Sequence, residues 1–248
     1  MKRLVWIALL AALLAACGQQ EASTDTAKVK QPTMVAATVL QFQEQEEGVT
    51  PYPLRMLVTR EFLRMDDGAD AKSYLLYDRA QQTILNVNAD DKTVLVISRK
   101  SLKLPVGSKP EMDVRDNDTS DMPRLGSQQP VHKTLQTQGK RCYDVVAVPG
   151  MLPDVVAAMR EYLLTLSSQQ IENLDKTPVE MRNPCMMANL IYYPDKHLGY
   201  GFPLREWDYR GFVRELVGFE QRQMSDDLFT VADQYQRITL DRSGMKRE

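Results

Sequence analysis

Between Met34 and Ile97 the chain repeats one rhythm, short apolar runs cut by tight-turn chemistry, and this constrains its fold more than any other feature. The runs are MVAATVLQFQEQ from residue 34, YPLRMLVTREFLRM from 52, SYLLYD from 73, TILNVNA from 83 and TVLVISR from 93. Between them lie Gly48 to Pro51, Asp66-Asp67-Gly68, Asp78 to Gln82 and Asp90-Asp91-Lys92, residue types that suit tight turns. Connections this short join antiparallel neighbours, because parallel strands need a crossover of a dozen or more residues. The expectation is an antiparallel meander.

Alternation within the runs is imperfect. In LRMLVTREFLRM, read as one strand, one face carries Leu54, Met56, Val58 and Phe62 with Arg60 and Arg64, and the other carries Leu57 and Leu63. Both faces are therefore partly apolar, which suits a sheet covered on one side and curled around something on the other, or a sandwich.

Residues 105–130 break the rhythm with prolines and aspartates and read as a solvated surface loop. Asp116, Asp118 and Ser120 have the spacing that opens a calcium loop, but Asp121 and Ser127 stand where an EF-hand needs glycine and a bidentate glutamate. A strand follows around Cys142 to Val148. Next, Val155, Val156, Met159, Tyr162, Leu163 and Leu166 recur at three- and four-residue spacing behind Pro153, predicting a helix over about 154–170 that packs on the sheet. The remaining runs, MMANLIYY, LGYGFPLREW, RGFVRELVGFEQRQM and QYQRITL, read as strands. The fold class expected is mainly β (α+β): a curved antiparallel sheet or half-open β-barrel with at least one helix packed against it.

The N-terminus carries an address. Lys2 and Arg3 precede a 13-residue apolar stretch, Leu4 to Ala16, that ends in small residues, as a secretory signal peptide does. A membrane-spanning helix needs about 20 such residues. Leu14-Ala15-Ala16-Cys17 resembles the lipobox of bacterial lipoproteins, which implies cleavage before Cys17, alkylation of its thiol and attachment to the membrane through acyl chains such as palmitate. Gly18, by the same resemblance, implies the periplasmic face of the outer membrane. The chain thus divides into a signal peptide (1–16), a lipidated Cys17 with a polar tether (17–33), and one periplasmic β-rich domain (34–243). Without residues 1–16 the chain holds 29 basic and 33 acidic side chains, and no basic surplus recommends a nucleic-acid partner.

Two further cysteines, Cys142 and Cys185, enclose 42 residues, and in an oxidising compartment such a pair is most simply a disulfide. Cys185-Met186-Met187 and the 13 methionines raise a Cu(I) site as the alternative. Those methionines are scattered through apolar runs, where methionine fills gaps in a core. His132 and His197 lie beside turn-like stretches, and neither stands at metal-ligand spacing with another histidine or cysteine. No nucleophile elbow, phosphate loop, zinc-protease or dinucleotide motif is present. Glu206 and Asp208 flank Trp207 on one strand face, a layout open to acid–base work but read here as a solvated face. No catalytic residue, cofactor or metal is assigned.

The series RMLVTREFLRMDDG, YLLYDRAQQTILNVNADDKTVLVI, GKRCYDVVAV, a helix, GYGFPLREW and DDLFTVADQY resembles periplasmic proteins of the lipoprotein-carrier superfamily, LolA/LolB-like. The resemblance spans most of residues 35–241 and implies a half-open barrel whose concave face holds acyl chains. Those proteins begin with a helix, whereas here the tether leads straight into MVAATVLQF. The ligand face would then be one alternating set of the meander: Met56, Val58, Phe62, Leu85, Val87 and Leu95. Two readings of function stand side by side, a binding module for an acyl chain or other apolar ligand, and a non-enzymatic adaptor that contacts an envelope protein partner.

Changing Cys17 to Ser is expected to leave the precursor uncleaved and unacylated in intact-mass analysis of membrane fractions; a lipidated mature product would overturn the anchor.

Overall fold

The computed structural model describes residues 33–68, 73–101, 103–104, 109–241 and 244–247. The signal peptide, Cys17 and all of the tether except Thr33 lie outside the described residues, as do 105–108 of the aspartate-rich stretch. Six strands follow one another at the start: β1 (Met34–Gln45), β2 (Tyr52–Val58), β3 (Phe62–Asp66), β4 (Ser73–Asp78), β5 (Thr83–Asn88) and β6 (Thr93–Ser98). After a long connection come β7 (Asp113–Asn117), β8 (Val131–Thr137) and β9 (Lys140–Val148), then the helix α1 (Pro153–Glu172). The chain ends in β10 (Phe202–Asp208), β11 (Val213–Ser225), β12 (Gln236–Asp241) and β13 (Gly244–Arg247). All belong to one 13-stranded open sheet of order β13-β12-β6-β5-β4-β3-β2-β1-β11-β10-β9-β8-β7. Neighbours are antiparallel except β12, which lies parallel to β6. The fold is mainly β with helices, and its meander of short connections is present in β1 to β6.

One expected strand is two. The run YPLRMLVTREFLRM folds back on itself as the β2–β3 hairpin, with Val58 opposite Leu63 and Met56 opposite Met65. The turn contains neither glycine nor proline. Thr59 makes it: its hydroxyl accepts the amide N–H of Glu61 and Phe62 at 3.2 and 2.9 Å, and its own amide donates to the Phe62 carbonyl at 2.9 Å. Facing residues of this hairpin differ in parity, so even positions before the turn share a face with odd positions after it. The mixed faces of the unbroken reading come from this reversal.

Three other expectations are corrected. MMANLIYY is helical: a turn at Pro184–Met186 runs into a π-helical turn at Met187–Tyr192, started by Asn183, whose side chain accepts the Met186 amide, and by Pro184 in the first position. Leu198–Tyr200, read as the start of the strand LGYGFPLREW, belong to a 3₁₀ turn, Lys196–Tyr200, and the strand starts at Phe202. The stretch 105–130 contains the short, exposed edge strand β7, which pairs with β8, itself outside the sequence reading.

Each sheet face carries a core cluster. On one, α1 packs its Val155, Ala158 and Met159 against Leu40 and Phe42 of β1, Met56 and Val58 of β2, Leu63, Tyr77, Ile84 and Phe202. Polar contacts fix the helix there: Arg79 grips Glu161 with two bonds of 2.7 and 2.9 Å, and Tyr77 and Thr165 hydroxyls meet at 3.2 Å. On the other face Ala37, Val39, Leu57 and Leu76 lie under Phe229, whose ring stacks on Phe62 at 5.9 Å. Here Asp66 is buried yet held below its usual pKa. Burial would raise it, but Arg55 and Arg64, at 2.7 and 2.8 Å, more than offset that. Arg64 also donates to the Leu228 carbonyl at 2.5 Å, tying down the segment that leads to β12.

The sheet neighbours β9 and β10 are joined by residues 149–201, an excursion that contains α1 and all the turns up to Tyr200. It re-enters the sheet at Gly201, with φ of +127° and a virtual Cβ only 2.3 Å from the Val148 carbonyl oxygen. Gly201→Ala is expected to cost roughly 2–3 kcal/mol of unfolding free energy through this clash. At Gly48, where a Cβ meets nothing within 4 Å, the same change should cost only ~1 kcal/mol for its positive φ; equal losses in urea unfolding would contradict the close approach.

Candidate functional site

Three strands carry a charged residue in phase with their inward apolar positions. On β1 the helix-facing set runs Leu40, Phe42, Glu44; on β10 it runs Phe202, Leu204, Glu206; on β11 Arg214 precedes Leu216. The register places Glu44 opposite Arg214 and Arg214 opposite Glu206, so the three form a cross-strand row beneath the helical excursion. Arg214 donates to Glu44 Oε1 at 2.6 Å and to Glu206 Oε1 at 2.9 Å. Phe42 and Phe212 rings flank the guanidinium, with centroids at 5.7 and 5.5 Å. Burial works against the Arg214 charge, but Glu206 and Glu44 hold it above the usual guanidinium range.

Glu206 and Asp208 are not a solvated face. The Glu206 side chain is 2 % exposed and that of Asp208 is 3 %. Their roles differ: Asp208 is saturated by Arg210 Nε at 2.7 Å and by the amides of Arg210 and Phe212 in the turn before β11. Glu206 keeps Oε2 buried without a hydrogen-bond partner. His197 Nε2 stands 3.7 Å from it, outside hydrogen-bond range. Burial pushes the His197 imidazole below its usual pKa, with Glu206 opposing and Arg214 adding to the shift. The Tyr143 ring stacks at a tilt on His197, 4.7 Å between centroids, and burial followed by the Glu206 charge raises its hydroxyl well above the ordinary tyrosine value.

Tyr143, His197, Glu206, Asp208 and Arg214 form the polar end of a cavity of about 190 Å³ between sheet and excursion, and Glu44 stands behind Arg214. Met56, Leu63 and Met65 make its apolar wall on the sheet, and Met159, Tyr162 and Leu163 face them from α1. Asn189, Leu190 and Tyr193 close one side. That side is fastened by the Cys142–Cys185 disulfide, whose Cα atoms are 5.0 Å apart, and by Asn189 donating to the Cys142 carbonyl at 3.0 Å. Tyr193 reaches across to the Pro110 carbonyl at 3.0 Å.

Of the six residues expected to form a ligand face, only Met56 lines this cavity. Val58 belongs to the core under α1, and Leu95 lies on the same face by its pairing with Asn86, itself opposite Leu75. Phe62 and Leu85 pack on the opposite face near Phe229, and Val87 shares that face through its pairing with Tyr74. The set divides because the Thr59, β4–β5 and β5–β6 turns each reverse parity. The sequence reading assigned no role to Glu44, Arg214, Tyr143 or His197, although charges falling in phase with inward apolar residues on three strands are visible in the chain. Among the described residues no group of three or more His, Cys, Asp or Glu side chains is placed to hold a metal ion.

No family model and no curated protein matches the chain. Among solved structures, that of PNGF-II in C2 space group aligns with 85 % of this chain at a TM-score of 0.40 and 10 % identity. The chain spans 32 % of that protein's length.

Replacing Arg214 by Leu leaves two buried carboxylates facing each other across β11 and is expected to cost about 3–5 kcal/mol in urea unfolding. Arg222→Leu, which breaks an exposed pair with Glu220, should cost under ~1 kcal/mol. Similar losses would mean that the row adds nothing beyond ordinary surface pairing.

Proposed function

We propose that this is a lipid-anchored protein of the bacterial envelope, held through Cys17 at the periplasmic face of the outer membrane, whose β-rich domain binds an apolar or amphiphilic ligand beneath α1. The supporting observation is the cavity itself, with an apolar wall at one end and a carboxylate oxygen lacking a partner at the other. One helix packs on strands from β5 across to β10, which fits a sheet curled around it in the manner of a half-open, lipoprotein-carrier-like barrel. The volume sets a limit. About 190 Å³ takes roughly six groups of water size at ~30 Å³ each, so an acyl chain would enter by one end only. At ~0.8 kcal/mol per buried methylene, six would contribute about 5 kcal/mol before the costs of association. No catalytic step belongs to this reading.

The adaptor reading has its own support. Away from the cavity the helix–sheet interface is filled by core side chains, and β11 leaves Val217 71 % and Phe219 47 % exposed, apolar side chains that suit contact with an envelope protein.

Native mass spectrometry of the gently purified full chain separates the two. A stoichiometric added mass in the fatty-acid or phospholipid range is expected. A clean apo mass after lipid has been offered would favour the adaptor and direct crosslinking to the Val217–Phe219 surface.

A further inference from the structure

Glu206 Oε2 is the one buried side-chain nitrogen or oxygen among the described residues that lacks a hydrogen-bond partner. Native folds rarely leave such an atom unpaired, and a carboxylate oxygen is the most costly kind to leave so. Its surroundings define what would complete it. Glu44 and Glu206 bring two negative charges to the row and Arg214 one positive charge, while Asp208 is matched by Arg210. His197, the remaining basic neighbour, is kept neutral by burial, and the Tyr143 hydroxyl beside Glu206, kept protonated by burial and by that charge, brings none, so the row keeps one negative charge in excess. Met56 and Leu163 approach from the apolar walls of the same cavity.

We propose that the cavity takes a small amphiphile with a primary ammonium head, one N–H donated to Glu206 Oε2 and a short alkyl body lying between Met56 and Leu163. The proposal rests on the ligand-binding reading above and names the chemistry of its polar end. A hydroxyl head would supply the missing hydrogen bond but leave the surplus charge unmatched. A carboxylate head would add an anion beside Glu206.

The test compares hexylammonium, hexanol and hexanoate for binding to the full chain at neutral pH, read by isothermal titration and by NMR shifts. Hexylammonium is expected to bind at least tenfold more tightly than either of the others. Glu206→Gln should bring it down to the level of hexanol, and Leu163→Trp, which fills the cavity from α1 without touching the ionic row, should abolish its binding. The ligand series on the unaltered protein keeps the test decisive where Glu206→Gln fails to fold. Equal binding of hexanol and hexylammonium overturns the ammonium head, and hexylammonium binding that survives Leu163→Trp overturns the site. If no hexyl probe binds while native mass spectrometry finds a bound lipid, this inference fails and the ligand-binding reading stands. If both are negative, both fall.

Discussion

The pairing of β1 with β11 holds the rest of the structure together. β1 pairs along its whole length, Met34 opposite Ser225 through Gln45 opposite Val213, with a partner that lies almost two hundred residues away at its start. To one side of this seam the strands β2 to β6 follow in chain order, and to the other lie β10, β9, β8 and β7. Without it the sheet is two meanders, each with an open apolar edge. Both core clusters draw on β1: its even positions Leu40 and Phe42 lie under α1, and its odd positions Ala37 and Val39 lie under Phe229. Alternation along one strand thus serves two faces.

The same seam explains why an ionic row stands in the interior. Charged groups taken out of water are costly, and a buried pair recovers that cost only when its geometry is good. Here Arg214 lies between two acceptors supplied by the strands on either side of it, with aromatic rings against its plane. The register dictates this, because Arg214 is opposite Glu44 on one neighbouring strand and opposite Glu206 on the other. A slip of one residue would bury the charges unpaired, so the row penalises misregister between the two meanders. It stabilises little against an apolar alternative but discriminates strongly among pairings.

How much of this was legible in the chain follows from where local signals coincide with structure. β1, β4, β5 and β6 are bounded by aspartate and glycine turns, and α1 announces itself by its period and by Pro153, so these elements stand where the patterns put them. The Thr59 turn is illegible to glycine and proline counting because its geometry comes from one hydroxyl. That turn put Phe62 on the face opposite Met56 and Val58, since every later residue in the run changed sides. MMANLIYY is a continuous apolar run, for which periodicity does not separate strand from helix. The deciding signals were Asn183 and Pro184 just before it. The site was hidden for another reason: an acidic residue in an alternating strand looks solvated unless its partner strand is known, and the partners here are set by pairing at long range.

β1 to β6 are joined by short connections, whereas β1 presents a long, apolar edge wherever β11, from the far end of the chain, is not paired with it. Such an edge is a template for wrong pairing. Glu44 lies on it with its partner absent, which disfavours burial of that edge against an uncharged strand. Within the second meander the chain also carries α1 and the turns that follow, and the Cys142–Cys185 bond fastens that excursion to β9. A disulfide closing this loop reduces the freedom of the part that must be placed correctly over the sheet. The cavity draws on both sides of the seam: its apolar wall belongs to β2, β3 and α1, while Glu206 and Arg214 belong to β10 and β11. Loosening the seam would consequently part Arg214 from Glu44 while leaving the hairpins of the first meander paired.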